Sequence, residues 1–402
     1  MSVHVDTRWD RSLVGRNPSR VLIAGSNIAC SYIEDQGGGG TPGPRKLVCF
    51  DLEGNQRWTA GDFDLQAALV DGTLIGISEA GALRFVDGDG CEQTRVREVA
   101  IEGARRVTAS GDRFVVTTNV EAIVVDAAFN DLVRIPVNED RGGVVVDDAV
   151  LYLDGDQIVR VDQRGRVESL CPIPIAMAHD AMLRWERETG TPALHGVATL
   201  NIDPSADFGA ELAAAVTDSS RQTPFSMGQR LSRFNWSLNY VESTNALFIT
   251  NGTFPHLIIC VGLDGVARWA RYLSSGCCGG GPVALPNGEL VTSSGCGGIV
   301  SWLNDQGDVK RQTVPHDGVG LATAHSGRVR TLADSSCIVD GGMGIEAFDA
   351  KGDLVWRSDD DCSCFDYDET LGLLVAAWWN DAATKTVTIR CARTIDSRHA
   401  RA

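Results

Sequence analysis

A chain of 402 residues, 43% hydrophobic, is long enough for one large repeat domain or two to three ordinary ones around a substantial core. Its net charge of −17 excludes the basic surface that nucleic acid or an anionic membrane requires, and favours cations, basic peptides or metal ions. No run approaches the roughly 18 apolar residues of a membrane span. The opening MSVHVDTRWDRSLVGR lacks a secretory apolar stretch, so the expectation is a cytoplasmic protein whose twelve cysteines are thiols or metal ligands rather than disulfides.

Along the chain one pattern recurs: an apolar strand, an Asp/Gly tight turn, then a strand that often ends in tryptophan. The full copies are LVCFDLEGNQRW (47–58), LIICVGLDGVARW (257–269) and IEAFDAKGDLVW (345–356). Weaker copies are ALRFVDGDGCEQTRV, IVRVDQRGRVESL and IVSWLNDQGDVKRQT. Two further alternating runs precede each copy, which predicts a four-stranded unit repeating about every 35 to 45 residues. Units fall at 20–60, 61–97, 98–135, 136–170, 233–270, 271–314 and 315–358. Residues 365–395 make a further unit without its last strand, which VHVDTRW supplies to close a ring and remove open sheet edges. Residues 171–232 interrupt the repeat as a helical insertion, with Asp180 capping one helix stopped by Gly190 and Ser205 capping a second. The insertion is a surface elaboration, a lid or a docking element for a protein partner. Residues 396–402 form a flexible tail of a single domain spanning 1–402.

The Asp/Gly turn joined to a tryptophan, as in FDLEGNQRW and FDAKGDLVW, resembles the quinoprotein-dehydrogenase-like (PQQ-like) β-propeller repeats. The resemblance implies an all-β, eight-bladed propeller, with seven blades as the alternative count. It specifies fold and leaves chemistry open, because the family includes both pyrroloquinoline-quinone dehydrogenases and cofactor-free scaffolds. Cys277 and Cys278 are similar to the neighbouring cysteine pair of some of those enzymes. No calcium-binding and catalytic-base set accompanies them, which argues against PQQ as cofactor.

In such a unit the link into the first strand and the connection between second and third strands emerge on one face. Cys277, Cys278, Cys362 and Cys364 are predicted to precede first strands, and Cys296 and Cys337 to lie between second and third strands. All six then share a face on three consecutive units, joined by His316 and by His256. Alternation of side chains predicts that Cys362 and Cys364 point to the same side. Thiolate and imidazole together suit copper first, then iron or zinc, although no tight zinc-ribbon pair is present. Buried unligated thiols and redox-active cysteines are the competing readings. Asp317 and Asp361 neighbour the proposed ligands and, with His256, are the candidates for proton transfer. His179 and His195 are second-rank candidates in the insertion. The leading expectation is a copper- or iron-dependent oxidoreductase acting on a small-molecule or peptide substrate. A protein-interaction scaffold with inert thiols, or a zinc-dependent hydrolase or lyase, stands beside it.

Overall fold

The structure is a computed structural model that describes residues 3–35, 43–69, 71–86, 97–99, 101, 103–110, 113–118, 120–126, 131–136, 143–147, 149–162, 164, 166–189, 236–251, 256–274, 280–294, 299–313, 329–340, 344–358, 362–379 and 386–396. Antiparallel strands dominate it. Six four-stranded sheets span 64–99, 106–136, 143–172, 236–274, 283–312 and 329–357, and in each the spatial order of strands follows the sequence. Such meanders need only short turns between neighbours.

A seven-stranded sheet joins the two ends of the chain. Its strand Val3–Ala24 pairs through residues 3–14 with Thr386–Asp396, and through residues 15–24 with Asn27–Glu34. The ladder breaks between Arg16 and Arg20. There Asn17 takes a left-handed φ of 48°, and Pro18 has no N–H to donate, so the strand bends. The bend lets the two halves face each other: Val21, Ile28 and Phe50 from one half share a cluster with Val375, Ile389 and Cys391 from the other.

The same packing recurs between every successive pair of sheets. Strand alternation gives each sheet two apolar faces. Thus Leu151 and Ile158 pack toward Leu247 and Ile259, whereas the adjacent Val150 and Val159 pack toward Val115 and Val124. Phe248 meets Leu290 and Leu303, Val291 meets Val339, and Ile338 meets Phe365 and Leu374. Each enclosed aliphatic or aromatic side chain in these seams contributes about 1.5–3 kcal/mol through removal of apolar area from water.

The Asp/Gly motif forms the turn between third and fourth strands. Asp51, Asn304 and Asp349 each accept, through Oδ1, the N–H of the residue four positions on, at 2.7, 2.7 and 3.0 Å. Gly54, Gly307 and Gly352 occupy φ of 85°, 79° and 80° in the same turns, a region L side chains avoid.

The helix Ile175–Thr189 begins earlier than the sequence reading placed it. Pro174 precedes it, Ala178 N–H closes on the Pro174 carbonyl at 3.1 Å, and Asp180 is interior rather than a cap. Residues 171 and 172 belong to the strand Val167–Pro172. Ala178, Ala181 and Met182 are buried, and Trp185 lies 4.8 Å from the Tyr272 ring. Gly190, His195 and Ser205 lie outside the described residues; of the expected tail 396–402, Asp396 ends the strand Thr386–Asp396 and the other residues lie outside the described ones. No helix among the described residues is long and apolar enough to cross a membrane.

Candidate functional site

Of the predicted site residues, Cys277, Cys278, Cys296, His316, Asp317 and Asp361 lie outside the described residues. Cys337, Cys362, Cys364 and His256 are placed, and they do not converge.

Cys337 opens the strand Cys337–Asp340, the second of its sheet, immediately after a tight turn. In that turn Ser335 has a φ of 66°, its N–H donates to the Leu332 carbonyl at 3.0 Å, and Asp334 Oδ1 accepts the Ser336 N–H at 2.9 Å. The run ending in RVRT is therefore the first strand and not the second. This corrects the expected position of Cys337, which sits at the opposite end of the sheet from the second-to-third-strand connection. Its thiol packs with Trp302 and Phe348.

Cys362 and Cys364 are also separated. The strand starts at Cys364, so the two-residue alternation does not extend back to Cys362. Cys362 joins the seam with Ile345 and Trp378, whereas Cys364 joins the seam on the other side of the sheet with Cys30 and Cys391. The Cys362 thiol donates to the Cys364 carbonyl at 3.2 Å.

His256, expected in the connection between second and third strands, is the first residue of the third strand and is 1% exposed. Its Nε2 is 3.2 Å from Thr292 Oγ1, which donates to the Gly280 carbonyl at 2.8 Å. Burial pulls the imidazole down to about 4, opposed by a hydrogen bond to Gly280. A neutral, enclosed imidazole of this kind pins the segment at Gly280, which Asn239 also holds through the Pro282 carbonyl at 2.8 Å. His179 is half-buried on the helix.

Eight cysteines lie among the described residues, and all but Cys171 are buried. Burial pushes Cys49 and Cys337 up to about 12, and Cys260 and Cys391 up to about 11. These thiols are protonated near neutrality and are poor nucleophiles. Among the described residues no group of three or more His, Cys, Asp or Glu side chains is placed to hold a metal ion.

The sequence reading missed the ion pair of Arg330 and Asp366. Asp366 Oδ1 accepts from Arg330 Nε and Nη2 at 3.0 and 2.9 Å, and its Oδ2 accepts the Ile23 N–H at 2.9 Å. One carboxylate thereby ties three successive first strands. The available signal was an aspartate in the middle of the otherwise apolar run CFDY.

Trp9 and Trp269 dock between sheets as the motif implies. Trp9 Nε1 donates to the Leu52 carbonyl at 3.0 Å over Gly54, and Trp269 Nε1 donates to the Asp305 carbonyl at 2.8 Å over Gly307. Arg311 replaces the indole at the next junction, lying over Gly352 with Nη2 on the Ala350 carbonyl at 3.2 Å. At the junction after that, a cavity of about 340 Å³ opens beside Trp356 and Trp378.

No protein family and no curated protein matches the sequence. Solved structures do match, the following at 10–12% identity. Sqt1 from Chaetomium thermophilum superimposes with a TM-score of 0.59 at 10% identity, covering 98% of this chain and 100% of its own. BamB from Moraxella catarrhalis gives 0.54 at 12% identity, over 96% and 99% of the two chains. The computationally designed Ika8 protein gives 0.54 at 12%, over 94% and 98%. The chain has a β-propeller fold, and its likeness to the PQQ-like repeats holds at the level of fold.

Proposed function

We propose that this chain is an eight-bladed propeller acting as a binding scaffold, with its cysteines serving as packing groups. The count treats the bent seven-stranded sheet as two blades that share Val3–Ala24, beside the six four-stranded sheets. The reading is carried by the burial of the described thiols, which form no metal-holding group of three or more with other His, Cys, Asp or Glu side chains among the described residues. Cys30, Cys260, Cys337, Cys362, Cys364 and Cys391 are buried among apolar neighbours, which is where a small soft side chain fills a seam without chemistry. Free thiols on this scale suit a reducing compartment, and we assign the protein to the cytoplasm. The segment between the strands Val167–Pro172 and Trp236–Val241 is the break in an otherwise regular repeat, and we assign it to contact with a protein partner.

The competing reading, a copper, iron or zinc site, now rests on Cys277, Cys278, Cys296 and His316. Elemental analysis of protein purified without chelator, before and after reconstitution under reducing conditions, separates the two. The scaffold reading expects less than about a tenth of an equivalent of any transition metal. Stoichiometric metal that disappears in a Cys277→Ser, Cys278→Ser, Cys296→Ser, His316→Ala variant overturns it in favour of a metalloenzyme.

A further inference from the structure

The tryptophan-docking pattern is interrupted where the chain ends meet. Trp58, Trp269, Arg311 and Trp356 hold the same place in their strands, each one residue beyond a register shift and opposite Cys49, Cys260, Trp302 and Ala347. Trp269 and Arg311 seat on the third-to-fourth-strand turn of the sheet that follows. The strands that follow Trp356 are completed by Val3–Ala24, whose pairing with Thr386–Asp396 begins at Val3 and Asp396. Among the described residues no third-to-fourth-strand turn receives the indole there. The space is instead a cavity of about 340 Å³, lined by Thr7, Trp356, Arg357, Ser358, Trp378 and Arg390 among others.

We propose that this cleft is a binding site for a planar aromatic monoanion. Its volume lies in the range of small-molecule sites and suits a two-ring compound. Two indoles on one cleft offer faces and edges for stacking a ring. The Arg390 guanidinium stands 4.9 Å from the Trp378 ring centroid and is held by Asp10 through two bonds, at 2.8 and 3.2 Å, so it stiffens one wall. Among the described residues, Arg357 pairs with Glu346 through Nε at 3.4 Å, and its side chain is 29% exposed. Its terminal N–H groups form the planar fork that carboxylates engage bidentately, and they select a ligand with one anionic group. Ser358 and Thr7 also line the cavity. The site is independent of the partner contact assigned to the insertion.

The test is titration of the full chain with 2-naphthoate, 2-naphthamide and cyclohexanecarboxylate, followed by calorimetry and indole NMR. The expected result is saturable binding of 2-naphthoate, with the amide and the saturated acid each weaker by about tenfold or more. Trp356→Leu removes binding, and Arg357→Gln weakens naphthoate about tenfold while leaving the amide unchanged. Ala376→Phe fills the cleft from the opposite sheet and blocks binding independently, with thermal melting showing that each variant is folded. Absence of saturable binding up to the solubility limit overturns the proposal, as does equal affinity for naphthoate and its amide. Undiminished binding by a folded Trp356→Leu or Ala376→Phe protein overturns it as well.

Discussion

Gly307 shows how closely one residue can bind two sheets together. A β-carbon there would lie 2.5 Å from the Trp269 ring, and its φ of 79° already disfavours any side chain. Gly307→Ala is expected to lower stability by about 2 kcal/mol, read as a fall in urea midpoint with unchanged slope. Trp269→Phe keeps the ring contact but loses the bond to the Asp305 carbonyl, and should cost about 1 kcal/mol. His256 adds a pH dependence. Its folded-state value near 4 lies below the ordinary 6.5, so the unfolded chain takes up a proton first as pH falls. Stability from this group is complete above about pH 6.5 and is lost progressively toward pH 4, by about 3 kcal/mol in all. Urea titrations at pH 7.5 and 4.5 measure it, and His256→Asn should flatten the difference relative to the parent chain. Asp366→Asn should destabilise by about 1–3 kcal/mol, because the bidentate contact to Arg330 and the bond to Ile23 share that carboxylate.

At the scale of the element, local chemistry separates what could be read in advance from what could not. The Asp-x-x-Gly turn is legible because its side-chain and backbone bonds lie within five residues. The closing role of VHVDTRW is legible because one unit lacked a strand and another segment was left over. The first two strands of the 329–357 sheet were misread because their turn uses Ser335 at positive φ, a residue type that does not advertise that conformation. The expected pairing of Cys362 with Cys364 failed for a related reason: alternation holds only inside a strand, and the boundary falls between them. The element that closes the ring carries its own prediction. Removing residues 1–14 strips the partner from Thr386–Asp396, and should broaden thermal unfolding and promote association through the bared edge, measured by calorimetry and sedimentation.

For the whole molecule, the fold was readable because repetition multiplies a weak signal, whereas a candidate site assembled from six cysteines depended on each strand assignment being right. One slipped strand moved Cys337 to the other end of its sheet. Thiol reactivity tests the resulting picture globally. Of twelve cysteines, seven are buried among the described residues, which leaves at most five to react promptly with an aromatic disulfide in native protein. The remainder should respond only with unfolding, at least about a hundredfold more slowly.

The shared strand Val3–Ala24 also sets an order in time. Residues 3–14 leave the ribosome first among the described strands, yet their partner Thr386–Asp396 leaves last. Until then the growing molecule is an open arc, and its earliest strand waits with one edge unsatisfied while the other sheets form from local turns. The final step is a contact between segments far apart in sequence, the kind that folds slowly. Crowded nascent chains at that stage can satisfy the waiting edge with a neighbour's closing strand, so a ring completed by exchange between two copies is the misassembly this architecture invites.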